Sequence, residues 1–349
     1  NRSTIKQLKV AWTYALGGTM GGGIWPIAGL EATPLVEDGF MYAIDGWGVV
    51  TKIDVRKGRA KFVWRMDPAT DKDWAGEIAC CGVDNKGVAL WGNAVLSHTL
   101  DGRLIATNKI DGEIVWEAQL ADPAVGETIT VAPLIVKDMA ISGVSGGEFG
   151  IRGYIDAYDV NTGERRWRFY TTAGPGDPNN DTWEDDSWQT GGGPTWVTGT
   201  YDPESNLVFW GTGNPWPDIN NQVRAGDNLY TNSVVALDAD TGELRWYFQT
   251  SPRDEFDHDS TSEPMIIEEM VNGEMRKLVV QVSRNGHVYA LDRLTGDFLW
   301  AGEYTRVNWA ERDERGKPVL KEELYNPAGT VIFPGLFGGK NWPPAAYSP

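Results

Sequence analysis

The chain repeats one eleven-residue pattern three times: AYDVNTGERRW at residues 157–167, ALDADTGELRW at residues 236–246 and ALDRLTGDFLW at residues 290–300. The copies share Ala-x-Asp-x-x-Thr-Gly-x-x-x-Trp. A degenerate copy covers residues 106–116, and a weaker one, with its Trp displaced, covers residues 54–64. The Trp residues recur every 50 residues or so, apart from one longer interval, and a period of roughly that size indicates a repeat architecture.

The shared pattern is typical of a tight turn. Its Asp and Thr can form hydrogen bonds across the turn, and its Gly can adopt the positive φ that such turns often need. Short apolar or alternating runs flank the turns, as at residues 277–282 and 286–291, and predict the strands of a meander. Four strands in a period of about 40 to 50 residues form a propeller blade. We therefore predict an all-β fold, a β-propeller of four-stranded blades with the repeat Trp packed between them.

Five turns predict about five to six blades, which we assign to a single, partial propeller domain at residues 1–349. The abundance of Trp (17) and Gly (42) favours the same all-β class. Residues 8–12 are expected to form an ordered element at the start. The first residues lack the hydrophobic region of a signal peptide, no apolar run has the length of a membrane helix, and the chain reads as a piece of a longer one.

Net charge excludes some partners. The formal charge of −18 and the pI near 4.6 argue against nucleic acids and against anionic membrane surfaces. Extra sequence lies in the long interval between Trp167 and Trp246, including a run rich in Pro, Gly, Asn and Asp at residues 174–193. Insertions of this kind form loops on one face of a repeat protein, often the face that carries function.

Cys80 and Cys81 are the only cysteines and are adjacent. Neighbouring α-carbons lie about 3.8 Å apart, below the usual disulfide range, so a bond between them would close a small strained ring. Such a bond would remove little unfolded-state entropy and would serve local shape or chemistry. The dipeptide alone leaves two alternatives open, a pair of buried thiols and a vicinal disulfide.

Several ordered motifs accompany the repeat: the cysteine pair, Gly-Gly-Glu-Phe-Gly at residues 146–150, Gly-Thr-Gly-Asn-Pro at 211–215 and Asp-Glu-Phe-Asp at 254–257. Together they resemble the quinoprotein methanol and ethanol dehydrogenases, which use pyrroloquinoline quinone (PQQ). Members of that family are eight-bladed propellers. The resemblance runs through the whole chain and implies that the chain corresponds to the amino-terminal portion of such an enzyme.

The resemblance implies a metal site. Glu148, Asn214 and Asp257 match the family's metal-site positions, although alone Glu148 and Asn214 would be read as ordinary turn residues. Asp259 matches a carboxylate that lanthanide-using relatives carry and calcium-using ones lack. Because ligand charge helps to set the affinity for hard cations, we expect a lanthanide(III) ion in preference to Ca²⁺. The alternative for Asp259 is a turn cap.

The resemblance also implies the cofactor contacts. Cys80 and Cys81 would form a vicinal disulfide on one face of PQQ, with Trp196 stacked on the other. The remaining residues that match positions around the cofactor are Glu31, Lys86, Thr130, Ser145, Gly146, Gly147, Arg284 and Asn341. Lys86 stands where the family usually has Arg, which loses a bidentate contact, and Pro194 stands where many members have Thr.

The implied activity is oxidation of a primary alcohol to an aldehyde. Asp257 would accept the hydroxyl proton, and Arg284 would stabilise negative charge on the quinone oxygens. The electrons would pass to a cytochrome c or a haem domain. No Cys-x-x-Cys-His motif is present, so this stretch attaches no c-type haem. A disulfide would imply the periplasm, and the residues leave a homodimer open.

Two other classes of function compete with this one. A cofactor-free propeller could act as a scaffold, but it would need none of the matched site residues. An enzyme-derived propeller could be inactive if its closing blades were absent. A zinc enzyme is disfavoured because the three His residues, His98, His258 and His287, are few and scattered.

Overall fold

The protein is described here by a computed structural model covering residues 3–18, 20–271, 273–321, 324 and 327–348. These residues form five four-stranded antiparallel sheets and two two-stranded hairpins. Within each four-stranded sheet the strands pair in chain order, which is the meander of a propeller blade. The predicted β-propeller is confirmed.

The strands follow in order along the chain. The first hairpin is β1 (Met20–Gly22) and β2 (Trp25–Ile27). Blade 1 comprises β3 (Leu35–Glu37), β4 (Phe40–Ile44), β5 (Val50–Asp54) and β6 (Lys61–Met66), and is followed by helix α1 (Lys72–Ile78). Blade 2 comprises β7 (Val88–Trp91), β8 (Ala94–His98), β9 (Arg103–Asn108) and β10 (Ile114–Gln119). Blade 3 comprises β11 (Leu134–Val136), β12 (Met139–Gly143), β13 (Tyr154–Asp159) and β14 (Arg165–Tyr170).

Blades 4 and 5, the last hairpin and six short 3₁₀ turns make up the other elements of the described chain. Blade 4 comprises β15 (Thr200–Asp202), β16 (Leu207–Gly211), β17 (Ser233–Asp238) and β18 (Leu244–Gln249). Blade 5 comprises β19 (Met265–Val271), β20 (Glu274–Val282), β21 (His287–Asp292) and β22 (Phe298–Glu303), and the last hairpin is β23 (Ala310–Arg312) and β24 (Pro318–Leu320). Single 3₁₀ turns occupy Ile5–Gln7, Pro123–Val125, Gly147–Phe149, Asn180–Thr182, Ser187–Thr190 and Asn221–Val223.

The repeated turn joins the third and fourth strands of a blade. In blade 3, Oδ1 of Asp159 accepts hydrogen bonds from the backbone N–H groups of Asn161 (2.8 Å) and Thr162 (3.2 Å). Gly163 follows with φ of +74°, a left-handed conformation that favours glycine. The repeated pattern therefore reflects local turn chemistry, as its spacing predicts.

In blades 2 to 5, the turn Gly contacts the Trp of the preceding blade. A Cβ atom on Gly242 would lie 2.5 Å from the Trp167 ring, and one on Gly296 would lie 2.6 Å from the Trp246 ring. The indole N–H of Trp167 also donates a hydrogen bond to the carbonyl of Ala239 in the next turn, at 3.1 Å. The prediction that the repeat Trp packs between blades is therefore confirmed, and we call this contact the blade joint.

Blades 1 and 5 each have one half of a blade joint without its counterpart among the described residues. Among the described residues, none would lie within 4 Å of a Cβ atom on Gly58, in the turn of blade 1. Trp300, in blade 5, is 54% exposed, whereas Trp167 and Trp246 are 8% and 7% exposed. Gly58 and Trp300 thus show the turn Gly and the Trp of such a contact, each without its counterpart among the described residues.

Two local features differ from the sequence prediction. Helix α1 was not predicted; its N-cap is Asp71, whose Oδ1 accepts hydrogen bonds from the backbone N–H groups of Asp73 and Trp74 at 3.1 Å. The expected element at residues 8–12 was wrong, because these residues adopt no helix or strand. Leu8 and Val10 are 75% and 83% exposed, so this apolar run is not buried against the rest of the described chain.

The antiparallel order of each blade separates two ends of the propeller. The repeated turns between third and fourth strands lie at one end. The connections between second and third strands, and those from one blade to the next, lie at the opposite end. Thirteen of the predicted site residues belong to this second set of connections; of the other two, Glu31 precedes blade 1 and Asn341 follows the last hairpin. No helix in the described part of the chain has the length and apolar character needed to cross a membrane.

Candidate active site

The second set of connections surrounds a cavity of about 420 Å³. Thirteen of the fifteen predicted site residues line it; the other two, Gly147 and Asn214, lie outside the lining. The residues that line the cavity are Glu31, Cys80, Cys81, Asp84, Lys86, Thr130, Ser145, Gly146, Glu148, Pro194, Trp196, Asp257, Asp259, Arg284, Leu336, Phe337, Asn341 and Trp342. The fold thus brings together side chains that are far apart in the sequence.

Arg284 holds two carboxylates on one wall of the cavity. It lies in the turn between β20 and β21, where its guanidinium donates from Nη1 to Oδ2 of Asp259 and from Nη2 to Oδ2 of Asp257, both at 3.0 Å. Nη2 also donates to the carbonyl of Leu336, at 2.6 Å. The Arg284 side chain is 8% exposed, so these charge-assisted bonds are made largely out of water.

Asp259 links Arg284 to two other predicted site residues. Its Oδ1 accepts the backbone N–H of Asn214 at 2.6 Å, and its Oδ2 accepts the indole N–H of Trp196 at 2.9 Å. The side chain is 3% exposed. Asp259 therefore fixes the edge of the Trp196 ring and the Asn214 backbone at once, which is more than a turn cap requires.

The Asn214 side chain is fully buried, and its two polar atoms differ in their partners. Nδ2 donates to Oδ1 of Asp218 at 2.5 Å and to the carbonyl of Pro215 at 3.3 Å. Oδ1 has no hydrogen-bond partner among the described residues. A buried amide oxygen without a donor is suited to a cation.

Two glycines allow this close packing. A Cβ atom on Gly147 would lie 2.9 Å from Oδ1 of Asn214, and one on Gly213 would lie 2.7 Å from Oδ1 of Asp259. Gly147 opens the 3₁₀ turn that carries Glu148. A side chain at either glycine would displace the oxygen atoms around the site.

Carboxyl groups crowd this part of the cavity. Burial raises the pKa of Glu148 to about 7, with the charges of Asp259 and Asp218 adding to the shift. Burial also raises the pKa of Asp257 to about 9, with Asp259 adding to the shift and Arg284 opposing it. Because three carboxyl groups, at positions 148, 257 and 259, share a single guanidinium, their oxygens and the free Asn214 oxygen fit a hard cation.

The predicted vicinal disulfide is present. Cys80 and Cys81 are bonded and follow directly after helix α1. A carboxylate oxygen of Glu148 lies within 4.8 Å of both sulfur atoms. Since both sulfurs are engaged in the disulfide, they are not thiolate ligands for a metal. Trp196 borders the same cavity as the disulfide, so both predicted faces of the cofactor site open into one space.

Lys86 is held by acidic neighbours. Its Nζ donates to Oε2 of Glu31 at 2.6 Å and to Oδ1 of Asp84 at 2.5 Å. It also lies 5.5 Å from the centres of the Trp196 and Trp342 rings. Burial raises the pKa of Glu31, with Asp84 adding to the shift and Lys86 opposing it. Glu31 and Asp84 therefore fix the position of the Lys86 ammonium group at the edge of the cavity.

Three further predicted residues complete the lining. Oγ1 of Thr130 and Oγ of Ser145 share a hydrogen bond of 3.0 Å. Oδ1 of Asn341 accepts the backbone N–H of Trp342 at 2.8 Å. These groups supply neutral hydrogen-bonding atoms to the cavity.

The sequence prediction missed several residues around the site. Asp84, Leu336 and Trp342 border the cavity, and Asp218 contacts Asn214. Arg224 is 0% exposed and donates from Nε to the carbonyl of Pro217 at 3.1 Å, and from Nη2 to the carbonyls of Asp218 and Asp254. The one sequence signal for Asp218 is its position four residues after the predicted ligand Asn214.

Comparison with known proteins agrees with this geometry. A family model described as the β-propeller domain of PQQ glucose/ethanol/alcohol dehydrogenases matches residues 1–314. The chain belongs to this PQQ dehydrogenase family. The resemblance inferred from the sequence motifs is thereby confirmed.

Individual members of the PQQ dehydrogenase family match over essentially the whole chain. The quinohemoprotein alcohol dehydrogenase ADH IIB of Pseudomonas putida is 40% identical over 99% of this chain and 51% of its own length. The lanthanide-dependent methanol dehydrogenase of Methylacidiphilum fumariolicum strain SolV is 35% identical over 100% of this chain and 60% of its own length. A solved europium-containing methanol dehydrogenase superposes with a TM-score of 0.90 at 35% identity, covering 100% of this chain and 63% of that one. The chain thus spans about half to three fifths of these relatives.

Proposed function

We propose that this chain forms the cofactor-binding and metal-binding part of an enzyme that oxidises a primary alcohol to an aldehyde. The observation that carries the proposal is the position of Arg284, which bonds both Asp257 and Asp259 in a cavity bordered by the vicinal disulfide and Trp196. Membership of the PQQ dehydrogenase family supplies the class of cofactor.

The cavity residues divide into those that would hold PQQ and those that would hold the ion. The disulfide and Trp196 would bracket the flat ring system, and Lys86 would face its carboxylates. Glu148, Asn214, Asp257 and Asp259 would supply oxygen atoms to the cation. When bound, the quinone and its ion supply an acceptor for the two electrons and one proton that leave the alcohol carbon as hydride.

Asp257 is the group we assign to the other proton, the one on the alcohol oxygen. Its Oδ2 is fixed by Arg284 at 3.0 Å, so the carboxylate has one defined orientation in the cavity. The raised pKa of Asp257 reflects burial among like charges, and a neighbouring cation would oppose that shift. Arg284 would in turn stabilise negative charge that develops beside it.

The proposal includes a lanthanide(III) ion in preference to Ca²⁺. Asp259 adds a third carboxylate beside Glu148 and Asp257, and a higher ligand charge favours a trivalent cation. Relatives named as lanthanide-dependent support this choice. The acidic composition and the disulfide support two further parts of the proposal, a basic cytochrome or haem domain as electron acceptor and a periplasmic location.

Reconstitution tests the proposed activity. The whole protein would be loaded with PQQ and either LaCl₃ or CaCl₂, and alcohol oxidation would be followed with an electron-accepting dye. We expect turnover with PQQ and lanthanum, and its loss in Asp257→Ala. Failure of both metals to support turnover would contradict the enzyme proposal and would favour a cofactor-free scaffold or an inactive propeller.

A further inference from the structure

We propose that Asp218 is a positioning residue that turns the Asn214 amide so that its oxygen faces the ion site. This inference rests on the proposed metal-binding function and extends it to a residue outside the ligand set. Asp218 lies in the connection between β16 and β17, four residues after Asn214, and is partly buried. It does not line the cavity, so it would act through Asn214.

The orientation of an Asn amide is decided by its neighbours, because its oxygen accepts and its nitrogen donates. Both partners of Asn214 Nδ2 are acceptors, namely the Asp218 carboxylate at 2.5 Å and the Pro215 carbonyl at 3.3 Å. A flipped amide would place Oδ1 against these two oxygens, without a hydrogen atom between them. The Asp218 carboxylate therefore selects the rotamer that leaves Oδ1 free.

The unpartnered Oδ1 of Asn214 is the atom that points to a bound cation. Oδ1 of Asn214 is on a fully buried side chain and has no donor among the described residues. The Asn214 backbone is fixed separately, since its N–H donates to Oδ1 of Asp259 at 2.6 Å. Backbone and side chain are thus both held, and the amide can present its oxygen to a cation without searching for an orientation.

The backbone of Asp218 is itself held by a buried arginine. Arg224, which is 0% exposed, donates to the carbonyl of Asp218 at 3.0 Å and to that of Pro217 at 3.1 Å. It also donates to the carbonyl of Asp254, at the start of the segment that carries Asp257. A buried guanidinium that satisfies carbonyls from two site segments holds the Asp218 backbone in place beside Asn214.

Europium luminescence tests the proposal independently of turnover. The whole protein, loaded with PQQ, would be titrated with Eu³⁺ as wild type, Asp218→Ala and Asp218→Asn. Loss of an outer partner of a metal ligand typically weakens metal affinity roughly 10-fold to 100-fold, which is the change expected for Asp218→Ala. Asp218→Asn retains an oxygen acceptor for Asn214 and is expected to stay close to wild type. The matched control is Asp177→Ala, which removes a half-buried Asp bonded to the Tyr230 hydroxyl outside the cavity lining and should leave Eu³⁺ affinity unchanged.

The outcomes separate orientation from charge. Unchanged affinity in Asp218→Ala would overturn the proposal, and equal weakening in Asp218→Ala and Asp218→Asn would assign the effect to charge and overturn it as well. In an Asn214→Ala background, Asp218→Ala should cause no further loss, because the residue acts through Asn214; a fully additive loss would contradict the proposal. Absence of Eu³⁺ binding by the wild type would instead overturn the proposed metal-binding function, and this inference with it.

Discussion

Arg284 donates one hydrogen bond to Asp257 and one to Asp259, each 3.0 Å long, and so fixes two acidic side chains with a single guanidinium. The two acceptors are two residues apart in a segment in which Asp257 has φ of +58°. The planar fork of Arg matches this spacing, whereas the point charge of a Lys does not.

Replacement of Arg284 by Lys is expected to lower kcat roughly 100-fold to 1,000-fold, the loss typical when one donor at a developing charge is removed. Lys retains the positive charge but cannot bond both carboxylates in the same geometry. Dye-linked alcohol oxidation by the reconstituted protein measures the change. Arg276→Lys is the control, since Arg276 pairs with Glu274 on the exposed β19–β20 hairpin, and activity equal to wild type in Arg284→Lys would refute the assignment.

Asp259→Asn is expected to abolish the advantage of lanthanum over calcium. The amide can still accept the backbone N–H of Asn214, but it removes one negative charge from the ion site. Turnover with LaCl₃ and with CaCl₂, together with the bound metal content, measures the preference. If the wild type works with calcium alone and Asp259→Ala is equally active, the lanthanide assignment is wrong.

Gly242→Ala should weaken the blade joint between blades 3 and 4. The new methyl group would lie 2.5 Å from the Trp167 ring, and the residue has φ of +72°. The combined strain and overpacking should lower the free energy of unfolding by about 2–5 kcal/mol. Chemical denaturation measures it.

Gly92→Ala separates the cost of backbone strain from the cost of overpacking against a ring. Gly92 also has a positive φ, of +48°, but a Cβ atom there would meet none of the described residues within 4 Å. This control should lose only the backbone contribution of about 1–2 kcal/mol. Equal losses in the two variants would mean that contact with Trp167 adds nothing to stability.

Asp254 should make stability depend on pH. It is 2% exposed, and burial raises its pKa to about 6, against hydrogen bonds from the backbone N–H groups of His258 and Phe256 that oppose the shift. Between its unfolded pKa near 4 and its folded pKa, the native state keeps a proton that the unfolded state has released. The free energy of unfolding should therefore fall as pH rises from about 4 to about 6, by about 3 kcal/mol for two pKa units.

Denaturation of the metal-free protein across that pH range, compared with Asp254→Asn, isolates this contribution. The variant cannot titrate at this position, so the difference between the two proteins should change with pH over this window and be constant above it. A difference that is independent of pH would contradict the assigned pKa.

The disulfide should matter for binding more than for stability. A bond between adjacent residues removes little entropy from the unfolded chain, so the double variant Cys80→Ala/Cys81→Ala should change the free energy of unfolding by less than about 1 kcal/mol. The same variant should bind PQQ more weakly, because one face of the proposed site is lost. PQQ fluorescence titration and denaturation measure the two effects, and wild-type affinity for PQQ would exclude the disulfide from the site.

The parts of the fold that were predicted depend on local chemistry. Asp159, Thr162 and Gly163 form their turn with one another, so the turn can be recognised without knowledge of the rest of the molecule. The runs at residues 277–282 and 286–291 were predicted as strands for the same reason, and they correspond to β20 and β21. The site residues were reached through family motifs, since a lone Glu148 or Asn214 is indistinguishable from a turn residue.

The residues that were missed depend on contacts between distant segments. Arg224 acts on carbonyls at positions 217, 218 and 254, and the guanidinium of Arg284 reaches the carbonyl of Leu336. Every residue has a backbone carbonyl, so the residue types in the sequence do not predict which carbonyl an Arg will bond. Asp218 was missed because its proposed role depends on the structural finding that Oδ1 of Asn214 has no partner among the described residues.

The blade joint has a consequence for how damage spreads. Each blade joint couples only two neighbouring blades, so it contributes to the free energy of unfolding as an interaction between neighbours. Weakening one joint therefore need not unfold the other blades. The cavity, however, takes its walls from connections that follow blades 1 to 5 in turn. A remote joint mutation such as Gly242→Ala can therefore leave the protein folded and still displace one wall of the cavity from the others, so that activity would fall in a protein that remains folded.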